Sequence, residues 1–258
     1  GTAQLLSSWS SGRFAFRFFT QRNAGPARAR NEALRLARGR LLFFAGDDIF
    51  PAPDLLFEHR CAHARERDER VVVIGRSSWP PDLPLTATMH HIDGAGAEQF
   101  GFAWMKDREE YDFRHFYTSN LSIAREFLAL EPDGFSEDFP RAAYEDIELS
   151  YRLSRHGQRI VYAARAEARH HHPYDVRSFF RRQVVCGAMA ATFLRKQPHL
   201  SKWFPARDLE KARIRLASET SAGPSTAENQ PGDLVAAEST ALELAALFDF
   251  RPQAILTP

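Results

Sequence analysis

Short, wholly apolar runs alternate with amphipathic segments in the first third of the chain. Residues 41–45 (LLFFA) and 71–74 (VVVI) are apolar at every position, which is typical of strands buried on both faces. Helical periodicity covers residues 27–38, closed by Gly39, and a second segment that starts at Pro51 and runs through His63. This order of helix, buried strand, helix and buried strand predicts an α/β fold with an open, mostly parallel sheet flanked by helices.

The same pattern predicts further elements on either side of this unit. The chain opens on a helical segment at residues 1–6, and a short strand is expected at residues 14–18. Residues 76–115 predict a loop with short elements. Beyond them we expect a strand at 120–123, an amphipathic helix at 144–156 ended by Gly157, a strand at 159–164 and a helix at 177–196.

The composition of the chain changes near residue 199. We expect residues 1–198 to form one domain and residues 199–258 to form a helical C-terminal extension. Within the extension, residues 219–233 are rich in Ser, Ala, Gly, Pro and Glu, which is typical of a flexible linker. A last short helix is predicted near residues 234–248.

Charge and cysteine content narrow the functional classes. The formal net charge of +1 argues against a dedicated nucleic-acid-binding protein. Most of the 34 basic residues are Arg, which fits either a GC-rich coding genome or arginines that bind phosphate through bidentate forks. Two cysteines indicate a reducing cytoplasm rather than a disulfide scaffold, and no apolar run approaches the roughly 18–20 residues that cross a bilayer.

Two adjacent carboxylates, Asp47 and Asp48, follow the first buried strand. Ligands of open α/β sheets bind beyond the carboxyl ends of the strands, so this is a candidate site. Neighbouring carboxylates repel each other, and a divalent cation with oxygen ligands offsets that repulsion and can bind a diphosphate. The alternative is an Asp-rich turn in which one side chain caps the next helix.

Three acidic residues, Glu145, Asp146 and Glu148, begin the predicted helix at 144–156. The helix dipole favours acidic residues in the first turn, so a purely structural role is one interpretation. A catalytic interpretation makes one of them a general base. The dipole lowers the pKa of such a carboxyl, and burial with a neighbouring carboxylate would have to raise it again.

Two further segments carry polar side chains that suit a ligand. If the strand at 159–164 extends to the triple histidine, alternation places His170 and His172 on one face and His171 on the other, as metal ligands or as a solvated loop. The segment 23–31 (NAGPARARN) contains a turn whose backbone and Arg donors could face a phosphate.

Taken in order, these segments resemble family-2 glycosyltransferases with the GT-A fold. Residues 23–31 are similar to that family's N-x-G-x-x-x-A-R-N segment, and residues 42–51 (LFFAGDDIFP) to its strand and D-x-D motif. Residues 120–122 (NLS), 134–139 (GFSEDF) and 145–153 (EDIELSYRL) resemble three later motifs, and the family then places a strand and a His. The resemblance covers about residues 1–198.

The resemblance implies roles for individual residues. Asp48 and His170 would hold Mg²⁺ or Mn²⁺, with His172 replacing His170 if the register shifts by two, and Asp146 would be the catalytic base beside Glu145. The D-x-D motif is reduced because its first position is Gly46. The implied donor-binding residues are Asn23, Gly25, Arg30, Asn31 and Asp47.

The resemblance also implies an inverting transfer of a sugar from a nucleotide-diphosphate donor to a hydroxyl of a saccharide or lipid-linked acceptor, with cell-surface glycan synthesis as the expected use. The expected location is the cytoplasm. The basic start of helix 177–196 is either a solvated face or a peripheral contact with the inner face of the membrane.

Gly1-Thr2 resembles the tail of a D-G-S-x-D-G-T segment, so the first strands of the fold are expected to be missing through N-terminal truncation.

Two other functions stay open at this point. A metal-dependent nucleotidyltransferase can share this sheet architecture and would not need a base at Asp146. A carbohydrate-binding or partner-binding remnant without catalysis would fit the truncation, although the retained Asp48, Asp146 and His170 argue against it.

Overall fold

The computed structural model describes residues 1–9, 13–93 and 101–203. Seven α-helices and six strands lie in these ranges, together with 3₁₀ turns at Phe113–His115 and Pro198–Trp203. The helices are α1 (Thr2–Ser8), α2 (Pro26–Leu36), α3 (Leu55–Glu66), α4 (Ala87–Asp93), α5 (Arg125–Leu128), α6 (Glu145–Ser154) and α7 (Val176–Lys196). The strands are β1 (Leu41–Ala45), β2 (Ile49–Pro51), β3 (Val71–Ser78), β4 (Glu110–Tyr111), β5 (Asn120–Ala124) and β6 (Arg159–His170).

The six strands form one sheet in the order β1-β5-β3-β6-β2, with β4 also paired to β6. Strands β1, β3 and β6 run in the same direction and contain most of the strand residues. By strand direction, this confirms the open, mostly parallel α/β sheet. The pairing between neighbours is mixed, because β5 runs antiparallel between β1 and β3, and only β3 and β6 pair in parallel. The carboxyl ends of β1, β3 and β6 therefore share one edge of the sheet with the start of β5.

The apolar run in β3 is buried on both faces, as its composition predicts. Residues 71–74 have no exposed surface. Val72 and Ile74 pack with Leu149 of α6 on one face, whereas Val71 and Val73 pack with Leu55 of α3 on the other. The sheet therefore lies between two helical layers, α6 on one side and α3 on the other.

A hydrogen-bond network secures an irregularity between β3 and β6. The register shifts after Gly75, where a Cβ atom would come within 2.3 Å of the Ala166 carbonyl oxygen. The Asn120 amide donates to the carbonyls of Arg76 and Ala166, at 3.1 and 2.9 Å. Its Oδ1 must therefore accept from His59 Nε2, 2.9 Å away.

Two histidines on α3, His59 and His63, take part in the same network, and both are neutral. Burial lowers the pKa of His59 and of His63 to about 4, so both rings are neutral at pH 7. His59 uses its only proton on Asn120, and its Nδ1 accepts from the Ser122 hydroxyl at 2.8 Å. Ser122 Oγ in turn accepts from His63 Nε2 at 2.9 Å. These contacts bind α3 to β5.

Several expected elements are found, with shifted ends. The opening helix is α1, the helix expected at 27–38 ends at Leu36, and the strand expected at 159–164 continues to His170. The strand expected at 14–18 is wrong: the structure assigns no strand to this segment, and Phe14, Phe16 and Phe18 are exposed. Alternating apolar residues make a strand only with a paired neighbour, and no described strand pairs with them.

The C-terminal boundary stays a prediction. Residue 199 lies inside the 3₁₀ turn Pro198–Trp203, and Leu200 packs against the last turns of α7 in a cluster with Phe193. The expected linker at 219–233 and the helix near 234–248 lie outside the described residues. Within the described part of the chain, no helix has the length and apolar character that crossing a membrane requires.

Candidate functional site

A tight turn at the carboxyl end of β1 brings Asp48 to the end of β6. The turn leads into β2, whose Ile49 pairs with His170 in the sheet. The backbone N–H of His171 donates to the Asp48 carbonyl at 2.9 Å, which holds the two segments together beyond the last strand pair. Because β6 is extended through His170, the side chains of alternate residues face the same way.

Asp48, His170 and His172 form one cluster, which we call the triad. Asp48 Oδ2 lies 3.1 Å from His170 Nε2 and 3.2 Å from His172 Nδ1. One ligand atom from each of the three lies within 4.8 Å of the others, an arrangement that can hold a metal ion. The sequence proposed His172 only as a substitute for His170, but the structure brings both to Asp48, while the His171 ring contacts Phe50 instead.

Aromatic side chains fix the two histidine rings. Trp79, which follows β3, stacks on His170 with ring centroids 5.6 Å apart and an interplanar angle of 14°. The Tyr174 ring packs against the His172 ring, with the two centroids 4.7 Å apart. Burial lowers the pKa of His170, although the nearby Asp48 carboxylate opposes that change. A neutral imidazole is the form that binds a metal, so the donor set fits a divalent cation.

Gly46, the reduced first position of the D-x-D motif, leaves room for the Asp48 side chain. A Cβ atom on Gly46 would lie 2.6 Å from Asp48 Oδ1 and 3.2 Å from a side-chain carbon of Ile49. Asp47 is exposed and is not part of the triad. The turn therefore presents one carboxylate to the histidines and the other to solvent.

The second group of candidate residues lies at the start of α6. The helix follows Tyr144, whose backbone is left-handed with φ of 65°. Glu145 is buried, and its carboxylate accepts from Arg30 Nη1 at 2.6 Å and from the Ala143 N–H at 2.8 Å. Arg30 also lies over the Phe135 ring, 5.3 Å from its centroid. Glu145 is thus fixed by an ion pair.

Asp146 is the carboxyl whose environment suits a base. Burial, and after it the neighbouring Glu145 carboxylate, raise its pKa to about 7 against the opposing charge of Arg30. These are the two influences that the sequence required to overcome the helix dipole. Its Oδ1 accepts from the Ile147 N–H at 2.9 Å, and Thr118 Oγ1 donates to its Oδ2 at 3.5 Å.

The start of β5 connects the triad with Asp146. Thr118 contacts Asp146, and the carbonyl of the next residue, Ser119, accepts from the Gly46 N–H at 3.3 Å. Gly46 is two residues from Asp48. The two groups of candidate residues therefore share the carboxyl edge of the sheet, as expected for a ligand site in an open α/β fold.

Three of the predicted donor-binding residues hold loops in place. Asn23 Oδ1 accepts from the Gly25 N–H at 3.1 Å, and Gly25 has φ of 90° with Pro140 so close that a Cβ atom would lie 2.9 Å from its carbonyl oxygen. Asn31 is buried and makes two hydrogen bonds with the backbone of Phe135, at 2.8 and 2.9 Å. Contacts of these residues with a donor stay a prediction.

Sequence reasoning missed some residues of the site. Thr118 and Trp79 contact Asp146 and His170, but a threonine before a strand and a tryptophan after one carry no signal of that role. Arg152 was identified only as part of a motif. It donates to Glu148 and, at 2.6 Å, to Glu131, and so ties α6 to the loop that precedes Phe135.

Two comparisons with known proteins find short or distant matches. An uncharacterized glycosyltransferase of Bacillus subtilis (strain 168), YfnE, is 39% identical over 75 residues, which are 29% of this chain and 19% of that protein. Crystal structures of S. aureus TarS have a TM-score of 0.44 and 14% identity over 68% of this chain. The match covers 47% of the TarS 1–349 chain, which was solved with UDP, and 28% of the longer TarS chain.

A third comparison matches the first half of the sequence to a protein family. The family model described as Glycosyl transferase family 2 matches residues 1–129, half of the 258 residues. That range contains the segment at 23–31, the Gly46–Asp48 turn and the strand that carries Asn120. Its mixed α/β architecture, with Asp48 in the turn after the apolar strand β1, is the one that the resemblance implies. The chain belongs to glycosyl transferase family 2.

Proposed function

We propose that the protein is an inverting glycosyltransferase that moves a sugar from a nucleotide-diphosphate donor to an acceptor hydroxyl. The observation that carries the proposal is the position of two complementary groups at one edge of the sheet. These are the triad, with its cation-binding donor set, and Asp146, whose pKa is raised to about 7. A leaving diphosphate needs positive charge, and an attacking hydroxyl needs a base.

The triad suits the diphosphate end of the reaction. Asp48 Oδ2, His170 Nε2 and His172 Nδ1 would hold Mg²⁺ or Mn²⁺, and such a cation neutralises the charge that develops on a departing diphosphate. Stacking on Trp79 keeps the His170 ring in its orientation before any ligand binds. Asp47, exposed on the same turn, would contact the donor ribose or a metal-bound water.

Asp146 suits the acceptor end. As a carboxylate it takes the proton of the acceptor hydroxyl while the hydroxyl oxygen forms a bond to the anomeric carbon, and the bond from that carbon to the diphosphate oxygen breaks. This single displacement inverts the anomeric configuration. A pKa near 7 leaves enough carboxylate at neutral pH and keeps it basic enough to accept the proton. Glu145 holds Arg30 beside it and shapes the acceptor side.

The remaining donor contacts, the acceptor and the location complete the proposal. Asn23, Gly25, Arg30 and Asn31 belong to one segment that leads into α2 and reaches Glu145 through Arg30. We propose a saccharide or lipid-linked acceptor, with the protein acting in the cytoplasm or at the inner face of the membrane in cell-surface glycan synthesis. The basic residues at the start of α7, Arg177, Arg181 and Arg182, would make any membrane contact.

Calorimetry of nucleoside diphosphates with the full-length protein tests the donor site. We expect UDP, GDP or dTDP to bind in the presence of Mn²⁺, and binding to be lost with EDTA and in Asp48→Asn. Asp54→Asn, an exposed residue at the start of α3, is the matched control and should bind as the wild type does. Loss of binding of at least 10-fold is expected, because one anionic ligand leaves the triad.

A second measurement tests the base. Asp146→Asn should bind the same nucleoside diphosphate with unchanged affinity and lose transfer by a factor of about 10² to 10⁴. Normal turnover in this variant would show that Asp146 is not the base. If no diphosphate bound to a folded wild-type protein, the glycosyltransferase proposal would fail and a non-catalytic binding protein would become the better description.

A further inference from the structure

A buried amide on α7 has no partner in the described part of the chain. Only 3% of the Gln183 surface is exposed, and neither its Nε2 nor its Oε1 makes a hydrogen bond within the described residues. A buried amide without partners is destabilising, since each unsatisfied group costs about 1–3 kcal/mol. Buried polar groups are normally hydrogen-bonded, so this amide calls for a partner beyond the described residues.

The position of Gln183 along α7 places it between the two parts of the site. Four residues earlier, Phe179 packs in one cluster with Trp79 and Tyr174, which contact the triad histidines. Three residues later, Cys186 packs in another cluster with Tyr144 and Ile147, the residues on either side of Glu145 and Asp146. The helix therefore passes from the triad to the start of α6, and Gln183 is on its buried face midway.

Two other buried donors without a partner among the described residues belong to residues next to the triad and next to the contact of Asp146. Trp79 Nε1 belongs to the ring that stacks on His170. Ser119 Oγ belongs to the residue after Thr118, which contacts Asp146. Three elements of the fold thus supply polar groups without partners near the same edge of the sheet. A ligand with several hydroxyl groups would satisfy them, because a hydroxyl both donates and accepts, as the Gln183 amide does.

We infer that Gln183 binds hydroxyl groups of the sugar that is transferred. The inference rests on the proposed function and adds the residue that recognises the sugar. If the diphosphate lies at the triad and the acceptor hydroxyl at Asp146, the sugar ring of the donor occupies the space between them. Gln183 lies between these same two points, and it contributes to sugar recognition rather than to the diphosphate or the proton transfer.

Thermal unfolding without ligand tests the first part of the inference. Gln183→Met and Gln183→Leu remove the unsatisfied amide, so both variants should unfold at the wild-type temperature or above it. Gln197→Met, at the C-terminal end of the same helix, is the control for a Gln-to-Met change elsewhere on α7. A fall in both Gln183 variants that exceeds the fall in the control would show that the amide has a partner within the protein, and it would overturn the inference.

Binding with Mn²⁺ tests the second part and separates it from the proposed function. The probes are UDP, GDP and dTDP, and the nucleotide sugars UDP-glucose, UDP-N-acetylglucosamine, GDP-mannose and dTDP-rhamnose. We expect Gln183→Met to bind the diphosphate as the wild type does, and to bind the preferred nucleotide sugar about 3- to 10-fold more weakly, as expected for one or two hydrogen bonds.

Equal loss for the diphosphate and the nucleotide sugar, or loss for neither, would overturn the assignment of Gln183 while leaving the proposed function intact. The assignment would fall in the same way if the sugar added no affinity to the diphosphate in the wild type. Absence of diphosphate binding in the wild type would instead remove the proposed function, and this inference with it.

Discussion

Arg30 Nη1 lies 2.6 Å from Glu145 Oε1, across 115 positions of sequence. The pair joins the segment before the first strand to the start of α6, and it places a positive charge beside Asp146. That charge lowers the pKa of Asp146, against the influence of burial and of the Glu145 carboxylate. The Arg30 charge therefore lowers the pH at which the proposed base is ionised.

Replacing Arg30 should move the pH dependence of turnover. Without the positive charge the pKa of Asp146 rises, so the ionised base appears at a higher pH and the acid limb of kcat shifts upward. We expect Arg30→Gln to show this shift by about one pH unit, and Arg30→Lys, which keeps the charge, to show less of it. The measurement is kcat at saturating donor from pH 5 to 9. An unchanged profile in Arg30→Gln would contradict the coupling.

Asp146 should make the folded protein less stable as the pH rises. Its folded-state pKa of about 7 lies above the ordinary value of 3.8, so between these values the folded protein binds more protons than the unfolded chain. Stability from this group is present at acid pH and is lost as the pH rises through about 7. In urea unfolding, Asp146→Asn should therefore have a higher free energy of unfolding than the wild type at pH 8. At pH 4.5 the difference between the two proteins should be small. An equal difference at both pH values would disagree with a raised pKa.

Two histidines on α3 should make the folded protein less stable as the pH falls, opposite to the effect of Asp146. The folded-state pKa values of His59 and His63 are about 4, below the ordinary 6.5, so the unfolded chain binds more protons between these values. Their contribution to stability is lost as the pH falls from about 6.5 towards 4. His63→Gln should lose less stability than the wild type between pH 7 and 5 in urea unfolding. The same loss in both proteins would exclude His63 as a source of the effect.

A side chain at Gly46 should weaken metal binding. The Cβ atom of Gly46→Ala would lie 2.6 Å from Asp48 Oδ1 and would push that carboxylate away from His170 and His172. We expect Mn²⁺-dependent diphosphate affinity to fall by about 10-fold, the range of changes that misplace a ligand without removing it. Ala45→Ser, at the exposed last residue of β1, is the control for a small substitution next to the turn. Equal affinities in the two variants would show that the turn adapts.

Asn31 should matter for stability rather than for turnover alone. Asn31→Ala leaves the buried N–H and carbonyl of Phe135 without partners, which should lower the free energy of unfolding by roughly 3 kcal/mol. Asn23→Ala, at an exposed position with one bond to the Gly25 N–H, should cost less than about 1.5 kcal/mol. Urea unfolding of the two variants gives the comparison. A smaller cost at Asn31 than at Asn23 would contradict its role as a loop anchor.

Local patterns predicted the elements because they depend on neighbouring residues alone. The runs at 41–45 and 71–74 became β1 and β3, and the amphipathic segment at 144–156 became α6 with its apolar Leu149 and Leu153 inside. The strand expected at 14–18 was wrong because its alternation had no strand to pair with among those described. Alternation also predicted that His170 and His172 would share a face, once β6 extended far enough.

The sequence by itself determined the α/β class, the place of Asp48 after an apolar strand and the first-turn position of Asp146, since each follows from periodicity over about ten residues. The run at 41–45 did not become a strand buried on both faces, because only its Leu42 is buried. Only the tertiary structure decided that β5 runs antiparallel between β1 and β3, that both histidines reach Asp48, that Arg30 pairs with Glu145 and that the Gln183 amide is buried without a partner. These relationships join residues far apart in the chain. They depend on strand order, burial and loop contacts, which a local sequence pattern does not predict.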